Sequence, residues 1–123
     1  MSHILVLDDV EDAGIMIKRI LERKGHSVAV FTEEQEALDY ISKQSVDIAI
    51  LDIKLKKISG VEVLKKIKEA QPLIDVVMLT GYPTLETARE AMDYGAREYL
   101  VKPIDKTELE DKIQGILQDR GSA

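Results

Sequence analysis

The chain has 123 residues, 45% hydrophobic and 33% charged, which suits one folded domain with its own core and excludes a disordered chain. A net charge of −6 argues against direct nucleic-acid binding, which needs a basic surface. There is no cysteine, no apolar run of membrane-spanning length and no signal-peptide pattern in "MSHILVLDD", so thiol chemistry and membrane insertion are excluded and a cytoplasmic location is expected.

The first apolar run, "ILVL" (4–7), leads into Asp8-Asp9. A helix is predicted next, with Ala13, Ile17, Ile20, Leu21 and the stem of Lys24 on one stripe, Ile15 exposed opposite it, and Gly25 as its stop. "VAVF" (28–31) follows, then Thr32 with Gln35 as a capping box before a stripe of Ala37, Leu38 and Ile41. The third run, "IAIL" (48–51), goes straight into Asp52, after which Lys54, Lys56 and Lys57 crowd together. Ser59 with Glu62 repeats the capping pattern ahead of Leu64 and Ile67, and Lys65, Lys66 and Lys68 read as a solvated face. "VVML" (76–79) ends in Thr80-Gly81, and Ala88, Ala91 and Met92 form the next stripe, stopped by Gly95. "EYLV" (98–101) ends in Lys102-Pro103; Asp105 with Glu108 then opens a helix carrying Leu109, Ile113, Ile116 and Leu117. His3 and His26 read as surface residues without a phosphoryl or metal role.

Continuous Val- and Ile-rich runs are strands covered on both faces, as in a parallel sheet. Strand alternates with helix throughout, so the expected architecture is a single α/β domain, a (βα)5 doubly wound sheet in the flavodoxin-like order 2-1-3-4-5. It occupies residues 1–119, with 120–123 as a tail or the start of a linker. Sites in such sheets lie beyond the carboxyl ends of the strands. That edge collects Asp8, Asp9, Asp52, Thr80 and Lys102. Clustered carboxylates repel unless a cation joins them, and hard oxygen donors suit Mg²⁺ or Mn²⁺. A carboxylate facing Mg²⁺ can attack a phosphoryl group and form an aspartyl phosphate. Asp8 and Asp9 taken alone are equally well read as helix caps, and Thr80 as a turn residue; the full set favours the metal and phosphoryl reading.

Asp8-Asp9, Asp52, "LTG" around Thr80 and "EYLVKP" around Lys102 resemble the receiver domain of bacterial two-component response regulators, and the resemblance spans the chain. It implies that Asp52 accepts a phosphoryl group from a histidine kinase or phosphotransfer protein. It implies Mg²⁺ held by Asp9 directly, by Asp8 through water, and by Asp52 and the backbone carbonyl of Lys54. Thr80 and Tyr99 match the switch positions and Lys102 the phosphate-binding lysine, with a cis bond at Pro103. The resemblance further implies that the first helix, with Ile15, docks the phosphodonor, and that phosphorylation reshapes the face of helix 4, strand 5 and helix 5 for an output domain or a homodimer.

The sequence departs from the family where Lys56 replaces a usual proline and where Tyr82 follows Thr80-Gly81. Lys54 and Tyr82 would flank the phosphate, and are expected to tune its lifetime. Such a domain performs only its own phosphorylation and dephosphorylation, and is not an enzyme toward other substrates. Two alternatives are a receiver-like interaction scaffold and an aspartate-based Mg²⁺ phosphatase. The latter usually has a second acid two residues after its nucleophile, where this chain has Lys54.

Overall fold

A computed structural model describes residues 2–55 and 59–121; Lys56 and Lys57 lie outside the described residues, as do 122 and 123 of the expected tail. Five strands, β1 (His3–Leu7), β2 (Ser27–Phe31), β3 (Ile48–Asp52), β4 (Asp75–Thr80) and β5 (Glu98–Val101), form one parallel sheet in the order β2-β1-β3-β4-β5. They alternate with α1 (Glu11–Glu22), α2 (Glu34–Lys43), α3 (Gly60–Ala70), α4 (Leu85–Asp93) and α5 (Lys106–Gly121).

The continuous apolar runs are explained by two cores. Successive side chains of a strand point to opposite faces. Leu5, Leu7, Ala49, Leu51, Val76 and Met78 meet Ala37 and Ile41 of α2, Val63, Leu64 and Ile67 of α3, and Ala91 of α4. Their neighbours Ile4, Val6, Ile48, Ile50, Val77 and Leu79 meet Ile17, Ile20 and Leu21 of α1 and Leu109, Ile113 and Ile116 of α5. Each fully buried aliphatic side chain contributes roughly 1.5–3 kcal/mol, so these two layers hold the strand ends in place.

Several local expectations change. Gly14, not Lys24, completes the buried stripe of α1, and Lys24 is exposed because the chain has already left the helix. Met92 is exposed, and Ala91 is the buried residue of α4. Thr32 does not cap α2; its N-cap is Glu33, without a side-chain cap, since the helix starts one residue later than a Thr32 box requires. Ser59 does cap α3, accepting from the Val61 N–H, but Glu62 turns to Lys65 instead of closing a box. Asp105 accepts from the Glu108 N–H at 2.9 Å. Gly25 and Gly95 stop α1 and α4 at φ +91° and +97°, a region costly for residues with a Cβ.

The α3 lysines are not all a solvated face. Lys68 reaches past the end of α3 to donate to the Pro72 and Ile74 carbonyls at 2.9 and 2.8 Å, and Lys65 lies 4.1 Å from the centre of the Tyr94 ring. The histidines are half-buried and have hydroxyl partners: His3 bonds Ser27 and Tyr40, and His26 bonds Ser2 at 2.6 Å. Each side chain folds over the start of β1 or β2, where a sheet edge leaves polar groups to satisfy.

Candidate functional site

Parallel pairing of β1 and β3 brings their carboxyl ends side by side, and delivers Asp8 and Asp52 to one edge. Asp8 is fully buried, Asp52 is 5% exposed and Asp9 is half-buried. One carboxylate oxygen of each lies within 4.8 Å of the others. Lys102, just past β5, reaches back and donates to Asp8 Oδ2 at 2.8 Å and Asp52 Oδ2 at 3.0 Å. The remaining oxygens accept from backbone: Asp8 Oδ1 from Val10 N–H at 2.9 Å, and Asp52 Oδ1 from Lys54 N–H at 3.1 Å. Burying two carboxylates is tolerable here because every one of those oxygens has a donor.

The electrostatics follow from that packing. Burial pushes the Asp52 carboxyl above its ordinary value; the hydrogen bond from Lys102 opposes this, and the nearby Asp8 charge adds to it. Burial alone would lower the Lys102 ammonium, but hydrogen bonds to Asp8 and Asp52 and their negative charges outweigh it, so Lys102 stays protonated above its ordinary value. Three carboxylates against one ammonium leave two negative charges in the pocket. Asp9 is not taken up by Lys102 or by a backbone N–H among the described residues. The donor set is all oxygen, without His or Cys, and fits a hard divalent cation of the Mg²⁺ type.

Thr80 ends β4 beside this edge, 1% exposed, and its Oγ1 accepts from the Tyr82 N–H at 3.0 Å, which leaves its own proton to donate. The Lys54 ammonium sits 4.3 Å from the centre of the Tyr82 ring, a cation–π contact between two exposed side chains. The Lys102–Pro103 peptide bond is cis. The anticipated residues Asp8, Asp9, Asp52 and Lys102 are therefore together, and Lys54 and Tyr82 contact each other.

Tyr99 and Ile15 stand apart. Tyr99, in β5, is half-buried, and its hydroxyl meets Thr87 Oγ1 at 2.9 Å. Thr87 in turn closes a reciprocal capping box with Thr84 at the start of α4. Sequence reasoning missed this box because its third position is Thr rather than the usual Glu or Gln. Ile15 is half-buried, not exposed; its neighbour Met16 is the exposed apolar residue. Gly14 has no Cβ and lets α1 settle against Val30.

Residues 4–114 match the family model of the response regulator receiver domain. The transcriptional regulatory protein ZraR of Escherichia coli is 33% identical over 121 residues, which cover 95% of this chain; the chain spans only 27% of ZraR's length. A response regulator receiver domain protein, described as CheY-like, from Methanospirillum hungatei superposes with a TM-score of 0.95 at 31% identity, over 99% of this chain and 98% of that one. A response regulator of Burkholderia pseudomallei, solved with a phosphorylated aspartic acid, calcium ion and citrate, superposes at 0.84 with 28% identity, over 94% of this chain and 72% of its own.

Proposed function

The chain belongs to the response regulator receiver domain family, whose members signal through phosphorylation on aspartate, and from that premise we propose Asp52 as its phosphoacceptor. The carrying observation is the Lys102 bridge between Asp8 and Asp52, which places one ammonium and two uncompensated negative charges at the end of the central strand. The phosphorylated aspartate and calcium ion of the Burkholderia neighbour support the same reading.

The donor is a phosphohistidine on a histidine kinase or phosphotransfer protein. An Asp52 carboxylate oxygen attacks phosphorus, the bond from phosphorus to the imidazole nitrogen breaks, and the donor's histidine leaves with the electron pair. Asp52 needs no base, since a carboxylate is ionised at neutral pH. Lys102 then moves its hydrogen bonds from the carboxylates to the phosphoryl oxygens, and Thr80 donates its free proton to another. Asp9 would hold Mg²⁺ (or Mn²⁺) directly, Asp8 through water, with Asp52 and the Lys54 carbonyl completing the protein ligands. The metal supplies charge neutralisation on the transferring group.

Tyr99 and Thr80 are the switch pair. Thr80 moves toward the phosphate, and Tyr99 leaves Thr87 to fill the vacated space. The affected face is α4–β5–α5, which already exposes Leu85 (74%), Met92 (51%) and Val101 (43%). It would receive an output domain or a second copy of the chain. The start of α1, with Ile15 and the exposed Met16, would dock the phosphodonor in the cytoplasm, where ATP charges such donors. A small-molecule phosphatase is not favoured, because Lys54 holds the position of its second acid. Neither is a phosphorylation-independent scaffold, which would have no use for the acidic set.

Incubation with acetyl phosphate tests the reading. Intact-mass spectrometry should show the gain of one phosphoryl group with Mg²⁺ and none with a chelator. Equal labelling without metal would refute the metal-dependent site.

A further inference from the structure

Gly60, the first residue of α3, is buried against the backbone of the phosphoacceptor itself. A Cβ built on it would stand 2.1 Å from the Asp52 carbonyl oxygen and 2.7 Å from Ile53 Cα. Both are backbone atoms, so no side chain can swing aside to admit it. The Gly60 N–H donates to the Ile53 carbonyl at 2.7 Å, and the Ile53 N–H donates to the Leu79 carbonyl at 2.9 Å. Ile53 is therefore gripped between β4 and the start of α3. One residue on, Lys54 and Ser59 face each other in an isolated antiparallel bridge. The Lys54 N–H meanwhile holds Asp52 Oδ1.

We propose that Gly60 is a positioning residue for phosphoryl transfer: its missing Cβ lets α3 clamp the backbone of residues 52–54, and so sets both the Asp52 carboxylate and the Lys54 carbonyl. The proposal rests on the metal and phosphoacceptor reading above. Its physical basis is the mismatch of scales. Relieving a 2.1 Å contact requires a shift of about 1 Å, whereas Mg²⁺ demands near-ideal octahedral distances of about 2.0–2.1 Å. Gly14 makes a comparison, since a Cβ there would stand 2.6 Å from Val30 Cγ1, a clash with a side chain of β2 and not with the backbone of residues 52–54.

The test compares the parent, Gly60→Ala and Gly14→Ala by calorimetric titration with Mg²⁺, and follows amide hydrogen exchange in metal-free protein. Gly60→Ala should weaken Mg²⁺ binding about tenfold or more, the scale of a lost supporting shell, and speed exchange of the Lys54 amide. Gly14→Ala should lose stability while keeping the parent's Mg²⁺ affinity. Parent-like affinity in Gly60→Ala, or an equal loss in Gly14→Ala, overturns the proposal. Should Gly60→Ala fail to fold, Ser59→Gly loosens the same turn without a clash; it should weaken Mg²⁺ binding several-fold, and parent-like affinity in it counts against the clamp. A parent that binds no Mg²⁺ refutes the reading of the site, not the role of Gly60.

Discussion

Asp52 is 5% exposed, and burial raises its carboxyl above the ordinary value of 3.8, so the ionised form that the proposed transfer uses is held at a cost to the fold. A raised folded-state value means that Asp52 favours folding below 3.8 and loses that contribution as pH rises through the folded-state value. At neutral pH the metal-free protein therefore carries a penalty that Asp52→Asn removes. Urea unfolding of metal-free protein at pH 7 should show the variant more stable by on the order of 1 kcal/mol, with the gain fading as pH falls toward 3.8. A variant less stable than the parent at pH 7 would contradict this. The role proposed for Lys54 and Tyr82 concerns a different quantity, the lifetime of the phosphate. On that proposal the ammonium resting on the ring obstructs the line of an attacking water. Lys54→Ala and Tyr82→Ala should each speed loss of phosphate several-fold, about 1 kcal/mol in barrier. Because the two side chains brace each other, the double variant should decay by less than the product of the single effects. Decay is followed by mass spectrometry after donor removal; slower loss in Lys54→Ala would mean that the lysine assists hydrolysis.

Among the helices, α4 buries a single residue. Ala91 is its buried residue, and its other holds are the Lys65–Tyr94 contact and the Thr87–Tyr99 hydrogen bond. Thr87 Oγ1 lies within bonding distance of the Thr84 N–H, hydroxyl and carbonyl as well as Tyr99. A hydroxyl has one proton to give, so donation to the Thr84 carbonyl leaves Tyr99 as a donor to Thr87. Moving Tyr99 inward therefore breaks a bond at the helix start. Thr87→Val keeps the shape and removes the hub. It should lower stability by about 1 kcal/mol, the worth of a cap, and shift the metal-free NMR spectrum of α4 and β5 toward that of the beryllofluoride-treated parent. An unchanged spectrum would separate Tyr99 from α4. This link was not legible in the sequence, because a Thr-x-x-Thr box lacks the acidic signature and a tyrosine in a strand says nothing of its hydrogen-bond partner. The order of strands and helices was legible, since apolar periodicity follows directly from which faces are covered. Cap positions were less so: Thr32 and Glu33 differ by one residue, and propensity does not resolve that.

For the molecule as a whole, the far end of the sheet carries a charged network beside the buried apolar residues Val46 and Ile74. Arg120, in the last turn of α5, donates to the Leu73 carbonyl at 2.9 Å and Asp75 at 3.0 Å, and approaches Asp47 at 3.5 Å. Arg97 joins the same group through Asp75 and Asp119. Arg120 thus fastens α5 to the starts of β3 and β4. Arg120→Ala should cost about 1–2 kcal/mol in urea unfolding, with the loss smaller in high salt; an unaffected midpoint would show the network to be a surface ornament. None of this was visible beforehand, since pairs separated by 45 and 73 positions arise only from the fold. The acidic site was visible because the topology rule for parallel sheets gathers strand ends, so residues far apart in sequence become neighbours by register alone. What spacing did not show is which oxygens are taken: Lys102 bridges Asp8 and Asp52 and leaves Asp9 aside.

The central claim is that one carboxylate, Asp52, receives the phosphoryl group in that metal-dependent pocket. Tandem mass spectrometry of the parent and Asp52→Asn after acetyl phosphate and Mg²⁺ tests it most directly. The parent should carry the phosphoryl group on Asp52 alone and the variant, still folded by circular dichroism, should carry none; equal labelling of the variant, or a label on Asp8 or Asp9 in the parent, would contradict the account.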